Sequence, residues 1–161
     1  MFKKVAIAAL FAAVSHTAAA EQFYIGADVG ATKFQGISGN KTSYGVYGGY
    51  QFQENFSAEL GLRRMGDLTM YGVDVKTDQA ALSLIARLPL SNGFHVYGRL
   101  GYNYLDVNAS YGGNHGNGNT SGGLYGLGVG YDFTPAVSAR IELQRPTSDT
   151  TNLSAGVSFK F

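Results

Sequence analysis

From Asn152 to the final Phe161 the chain alternates without a break. Leu153, Ala155, Val157, Phe159 and Phe161 fall on one side; Asn152, Ser154, Gly156, Ser158 and Lys160 fall on the other. A period of two is the repeat of a β-strand whose two faces meet different surroundings. Gly 23 and Tyr 11 against Pro 3 likewise describe extended chain.

The same alternation recurs along the sequence. Phe23, Ile25, Ala27, Val29 and Ala31 oppose Tyr24, Gly26, Asp28, Gly30 and Thr32; Tyr44, Val46, Tyr50 and Phe52 mark a second strand. A third sets Phe56, Ala58, Leu60 and Leu62 opposite Ser57, Glu59, Gly61 and Arg63. A fourth sets Ala80, Leu82, Leu84, Ala86 and Leu88 opposite Gln79, Ala81, Ser83 and Arg87, with Ile85 out of pattern. Phe94, Val96, Leu100, Tyr102 and Tyr104 alternate with His95, Tyr97, Arg99, Gly101 and Asn103. Tyr125 to Phe133 and Val137 to Gln144 complete the set. Eight antiparallel strands are predicted. Long connections are centred near residues 38, 71, 114 and 148, and short turns near 54, 91 and 135. Met65 to about Asp78 is a longer connecting segment, Asp106–Gly122 is glycine- and asparagine-rich without apolar periodicity and is expected to be a loop, and Arg145–Thr151 is the last loop.

Met1-Phe2-Lys3-Lys4, an apolar run from Val5 to Val14 and the small residues Ala18-Ala19-Ala20 have the order of a cleavable signal peptide. Residues 1–20 are therefore set apart from a single domain over 21–161. Of 12 Lys+Arg, losing Lys3 and Lys4 leaves 10 against 11 Asp+Glu, a mature charge near −1 that offers nothing to nucleic acid. Cysteine is absent, so no disulfide framework holds the fold.

Two β-barrels could carry this pattern. A lipocalin-type barrel turns its apolar face inward around a ligand. Here the polar face carries Asp28, Glu59, Arg63, Arg87, Arg99, Arg140 and Glu142, too many charges for a small apolar calyx. The apolar face must then point outward, into lipid. Short turns alternating with long loops have the pattern of an outer-membrane barrel. Its closure follows from hydrogen bonding, because an open sheet edge in hydrocarbon leaves backbone groups unpaired. The fold class expected is all-β: an eight-stranded antiparallel up-and-down transmembrane β-barrel, preceded by a cleavable signal peptide. The location expected is the bacterial outer membrane, with both mature termini periplasmic. Outer-membrane lipid and lipopolysaccharide are its expected surroundings. Phe23, Tyr50, Phe52, Phe56, Phe94, Tyr131, Phe133, Phe159 and Phe161 gather toward the turn side, and Tyr44, Tyr104 and Tyr125 toward the loop side, as interfacial belts.

Charges in a narrow lumen survive only if paired. Counting along the strands sets Glu59 and Arg140 in about one layer, with Glu142 and Arg99 one layer higher. These residues, with Arg87, form the expected lumen ion-pair network. Such a network acts either as a packed polar plug or as a re-pairing gate for small ions.

Particular segments resemble the transmembrane barrel of the outer membrane protein A type. Thr134-Pro135-Ala136-Val137-Ser138-Ala139-Arg140-Ile141-Glu142 resembles its turn and seventh strand, and Val96-Tyr97-Gly98-Arg99-Leu100-Gly101 its fifth. Asn55 through Gly66, with Glu59, resembles the third, and Leu82 to Pro89, with Arg87, the fourth. The resemblance implies that Arg140 pairs with Glu59 in the lumen. The family's second glutamate partner, on strand six, is Gly130 here. It also implies that a terminal aromatic, Phe161, is part of the assembly signal read by the barrel-assembly machinery. The periplasmic peptidoglycan-binding domain of longer members is not expected. Short relatives serve in adhesion, serum resistance or envelope stability.

Catalysis has little support in the sequence. Lipid A-modifying barrels need His and Ser with a nearby carboxylate, and the mature chain offers only His95 and His115. Gly126, Gly128 and Gly130 recur every second residue within a strand and are lumen-facing small residues, not a phosphate loop. No metal site and no cofactor are expected. The reading is a non-enzymatic outer-membrane barrel with an envelope-structural or adhesion role, engaging a host or surface ligand at its external loops. A small low-conductance pore is the alternative and a lipid A-modifying enzyme the third.

Overall fold

The computed structural model describes residues 22–36, 39–70, 73–111 and 114–161; residues 1–20, expected to be a signal peptide, lie outside the described residues. Among the described residues, eight strands close into one antiparallel barrel: β1 (Phe23–Phe34), β2 (Lys41–Gln53), β3 (Phe56–Met70), β4 (Val73–Pro89), β5 (Phe94–Tyr111), β6 (Asn114–Asp132), β7 (Val137–Thr147) and β8 (Thr150–Lys160). Each strand pairs with its chain neighbours, and β1 pairs with β8 from Tyr24↔Lys160 to Phe34↔Thr150. The backbone N–H of Phe161 donates to the Phe23 carbonyl at 2.9 Å, carrying the seam past the end of β8. Closure leaves no sheet edge along the wall, which is the condition for a β-sheet to sit in hydrocarbon.

The alternation read from the sequence sorts inside from outside. Val29, Leu82, Leu84, Leu100, Leu127, Ile141 and Val157 are exposed on the outer wall. Their strand neighbours Asp28, Ser83, Arg99, Glu142 and Ser154 are buried inside. Ile85, out of pattern by hydropathy, obeys the geometry and packs into the lumen. Aromatic rings ring the turn end in contact with one another: Phe23 with Tyr50 (4.7 Å between centroids), Phe94 with Tyr131 (4.8 Å) and Tyr131 with Phe133 (5.0 Å).

The turns at the short end are built from local chemistry. Thr134 Oγ1 accepts the N–H groups of Ala136 (3.2 Å) and Val137 (2.9 Å), fixing the β6–β7 turn. Between β4 and β5, Asn92 (φ 59°) and Gly93 (φ 79°) take the left-handed conformation that asparagine and glycine tolerate best.

Three expected loops are mostly strand. β3 and β4 stay paired out to Met70↔Val73, and β5 and β6 out to Tyr111↔Asn114. The β7–β8 connection shrinks to Ser148 and Asp149. Hydropathy missed these extensions because, beyond the bilayer, neither face of a strand needs to be apolar; the hydrogen-bond ladder alone defines it. The wall is therefore lopsided. β3 to β6 have 15, 17, 18 and 19 residues, against 12, 13, 11 and 11 in β1, β2, β7 and β8. Roughly 9–11 residues suffice to cross the hydrocarbon. A four-stranded tongue thus rises from one side of the loop end. Its β6 edge meets β7 only from Tyr125 onward, so Asn114–Leu124 has no partner on that side among the described residues.

The inside–outside assignment can be tested at mid-wall. Leu84 and Val129 face outward, and Leu84→Arg or Val129→Arg should each destabilise the barrel by about 2–4 kcal/mol in reversible unfolding from thin vesicles. A neutral result at both positions would invert the assignment.

Candidate functional site

The lumen has three tiers, two of them filled. The central one is a continuous network of charge. Glu59, on β3 and only 2% exposed, accepts two hydrogen bonds from Arg140 of β7, at 2.7 and 3.1 Å. It also accepts one from Arg99 of β5 at 2.6 Å and one from the Tyr24 hydroxyl at 3.2 Å. Arg99 in turn forks onto Glu142 at 2.6 and 3.0 Å, and Tyr97 donates to the same carboxylate at 2.8 Å. The chain Arg140–Glu59–Arg99–Glu142 alternates in sign throughout. Counting along strands had separated these four into two layers, whereas Arg99 spans both. Bidentate guanidinium–carboxylate geometry is the strongest form such a bond takes, and it satisfies most of the polar atoms that burial would otherwise penalise.

Small residues make room for this network. In register, Gly26 faces Tyr47, Gly49 faces Tyr24 and Gly128 faces Tyr97. A Cβ on any of the three would fall inside the facing ring. Each tyrosine lies flat over a glycine on the next strand and carries its hydroxyl inward. Tyr47 also supports Arg140, whose guanidinium carbon lies 3.5 Å from the ring centroid, a cation–π contact. In the glycine run of β6, Gly128 and Gly130 berth the rings of Tyr97 and His95, while Gly126 faces Glu142.

Toward the loop end a second tier closes the barrel. Arg63 of β3 donates to Asp28 of β1 at 2.7 Å and to Gln144 of β7 at 2.8 Å, and it also bonds Asn152 of β8. Asn152 donates onward to Thr32 (2.8 Å) and Ser43 (2.7 Å). Met65 and Leu124, at 0% and 2% exposure, complete this tier. Met65 stands at the register shift between Arg64 and Gly66, on the same face of β3 as Glu59 and Arg63. Asp28 and Arg63 stood on the polar face of the sequence pattern, but their association with each other carried no motif.

The third tier, at the turn end, is open. A cavity of about 630 Å³ reaches up to Tyr24, Tyr97 and Arg140 and is lined lower down by Arg87, His95 and Lys160. Arg87 belongs here and not to the central network: it pairs with Asp132 of β6. His95 Nδ1 faces the same carboxylate at 3.6 Å, and its ring lies over Gly130. Buried Nδ1 of His95 has no hydrogen-bond partner among the described residues. Among the described residues no group of acidic or histidine side chains could hold a metal. Phe161 lies at the seam, away from all three tiers.

The sharing of Glu59 predicts an asymmetry. Glu59→Ala strands Arg140, leaves Arg99 with Glu142 alone, and should cost about 3–5 kcal/mol. Arg140→Ala leaves Glu59 bonded to Arg99 and Tyr24 and should cost less, about 1–3 kcal/mol. The double variant should cost clearly less than the sum in urea unfolding from vesicles. Additive costs would mean that the two residues do not interact.

The sequence matches the outer membrane protein beta-barrel domain family over residues 5–161. Among curated proteins, no sequence matches it. Solved structures share the fold. Neisserial surface protein A (NspA) superposes with a TM-score of 0.72 at 20% identity, covering 86% of this chain and 97% of that one. The N-terminal β-barrel of Pseudomonas aeruginosa OprF gives 0.66 at 16% identity, covering 86% and 97%. Ail, the attachment invasion locus protein of Yersinia pestis, gives 0.62 at 16% identity, covering 87% and 97%. With the family matched over nearly its whole length and the closed barrel in place, this chain belongs to the outer membrane protein beta-barrel domain family of the bacterial outer membrane.

Proposed function

We propose that the chain is a non-enzymatic, non-conducting envelope barrel that makes contacts at the cell surface through its tall β3–β6 tongue, with both mature termini in the periplasm. The observation that carries this reading is the double closure of the lumen. A re-pairing gate needs one movable pair with free space beyond it. Here the Glu59–Arg140 pair is backed toward the loop end by a second, independent tier around Arg63, Met65 and Leu124. Gly130 also leaves strand six without a carboxylate at the level where a second partner would stand. The tongue supports the contact role, because it presents paired backbone well beyond the bilayer and an edge able to take a further strand. Ail shares this fold and has been solved in complex with the heparin analogue sucrose octasulfate, which supports a ligand-contacting role at this kind of barrel.

Planar-bilayer recording tests the closure. The wild type should be silent, and Glu59→Ala should stay silent because the Arg63 tier remains. Only a variant that cuts both tiers, Glu59→Ala with Asp28→Ala, should pass ions. Rare openings in the wild type would favour the small pore instead. In the same strains, shortening β5–β6 to a tight turn near residues 106–119 should abolish adhesion while leaving the barrel heat-modifiable. Unchanged adhesion would remove the tongue from the contact.

Phe161 supplies the assembly signal in this reading, with the barrel-assembly machinery as partner. Its outward ring stacks with Phe159 at 6.3 Å, and its backbone adds one seam hydrogen bond. Deleting Phe161 should cost only about 1 kcal/mol in folding from urea, yet sharply lower the outer-membrane level in cells. Normal cellular assembly would show that the residue carries no signal.

A further inference from the structure

The open tier at the turn end has two polar clusters that face each other. Lys160 of β8 donates to Gln51 of β2 at 3.1 Å, across the intervening β1. Arg87 of β4 pairs with Asp132 of β6, across the intervening β5. In a ring of eight strands β1 and β5 stand opposite, so the clusters occupy opposite walls of the cavity.

The two walls differ in charge and in the hydrogen bonds they leave open. No carboxylate lies within ion-pair distance of Lys160 among the described residues, and Gln51 takes only one of its N–H groups. Glu54 also borders the cavity, but it is exposed on the β2–β3 turn, where water and salt screen it. The Arg87–Asp132 pair is neutral as a unit. It engages one guanidinium nitrogen and Oδ2 of Asp132, so Oδ1 stays open as an acceptor and the rest of the guanidinium as a donor. Arg140, at the ceiling, is committed to Glu59. With His95 uncharged, the cavity therefore holds one uncompensated cation and, on the far wall, a donor beside an acceptor. Ser138 and Ser158 bond each other at 2.6 Å on the wall between, which leaves one hydroxyl hydrogen free.

We infer that this cavity binds a sugar acid, a small polyhydroxylated monocarboxylate whose carboxylate meets Lys160 and whose hydroxyls bridge Asp132 and Arg87. One negative charge on the ligand balances the one surplus cation. A hydroxyl donates and accepts at once, which matches an open carboxylate oxygen beside an open guanidinium N–H. A fatty acid offers nothing to the Arg87–Asp132 wall, and a neutral sugar brings no charge to Lys160. The volume of about 630 Å³ is that of a small-molecule pocket. The inference rests on the proposed function only in placing the mouth of the cavity in the periplasm.

Amide chemical-shift titration of the barrel in phosphatidylcholine nanodiscs tests the site, with glucuronate as the probe. The wild type should saturate, with shifts gathered at the turn end. Glucuronamide keeps the hydroxyls without the charge, and hexanoate keeps the charge without the hydroxyls. Each should bind the wild type about tenfold more weakly than glucuronate. Lys160→Gln should bind glucuronate and glucuronamide equally. The double variant Arg87→Ala, Asp132→Ala, which leaves the net charge unchanged, should bind glucuronate and hexanoate equally and still prefer glucuronate to glucuronamide. Lys76→Gln, an exposed cation of β4 far from the cavity, should match the wild type. Equal binding of the three ligands by the wild type, a comparison that needs no variant, overturns the site, and so do wild-type preferences in both cavity variants. Labelling of Ser91→Cys by an impermeant maleimide reads the orientation separately. Protection on intact cells is expected; reaction there overturns the periplasmic placement, whereas the titration alone decides the site.

Discussion

Hydrocarbon offers no hydrogen-bond partner, and the rest of the structure follows from that. Every backbone group of the membrane segments must find another backbone group, so the sheet has to close, and β1 has to meet β8. Eight strands close around an interior only wide enough for side chains. The lumen is therefore a protein core in shape, but polar, because the apolar residues have been committed to the outside. Side chains of mixed size must fit a fixed cylinder, and tyrosine over glycine is how this chain does it. The ring fills the bore, and its hydroxyl is delivered to a carboxylate or a backbone carbonyl.

Buried ion pairs are weak evidence for stability, since desolvation offsets much of the attraction. Their value here is in specifying arrangement. Arg140, Glu59, Arg99 and Glu142 come from strands β7, β3 and β5, which are not neighbours in the wall. A register slip of one residue would turn any of these charges outward into lipid. The network thus penalises misregistered barrels much more than it stabilises the correct one.

The strand faces were legible in the sequence because the bilayer imposes a different solvent on each side, and period two records it residue by residue. That was enough to put Glu59, Arg99, Arg140 and Glu142 inside. It was not enough to place them relative to one another. Strands are tilted, so equal distance from a turn is not equal depth, and long side chains reach across tiers. Arg87 was misplaced for that reason, and Arg63 with Asp28 was not picked out as a pair. The tongue was invisible for a different cause. From Asp106 to Gly122 the chain is flanked by water on both sides, so its glycines and asparagines leave no hydropathic trace of a strand that backbone pairing nonetheless forms.

The open cavity at the turn end has an electrical consequence. Solvent in that vestibule conducts, so a potential difference across the membrane falls mainly over the dry segment above Tyr24 and Tyr97, and the local field there is correspondingly steep. That segment holds three arginines, Arg63, Arg99 and Arg140, and three carboxylates, Asp28, Glu59 and Glu142. Its formal charge is zero. A field acting on it can polarise the plug but exerts no net force along the axis. The obstruction carries no net charge for the field to move, even where the field is steepest.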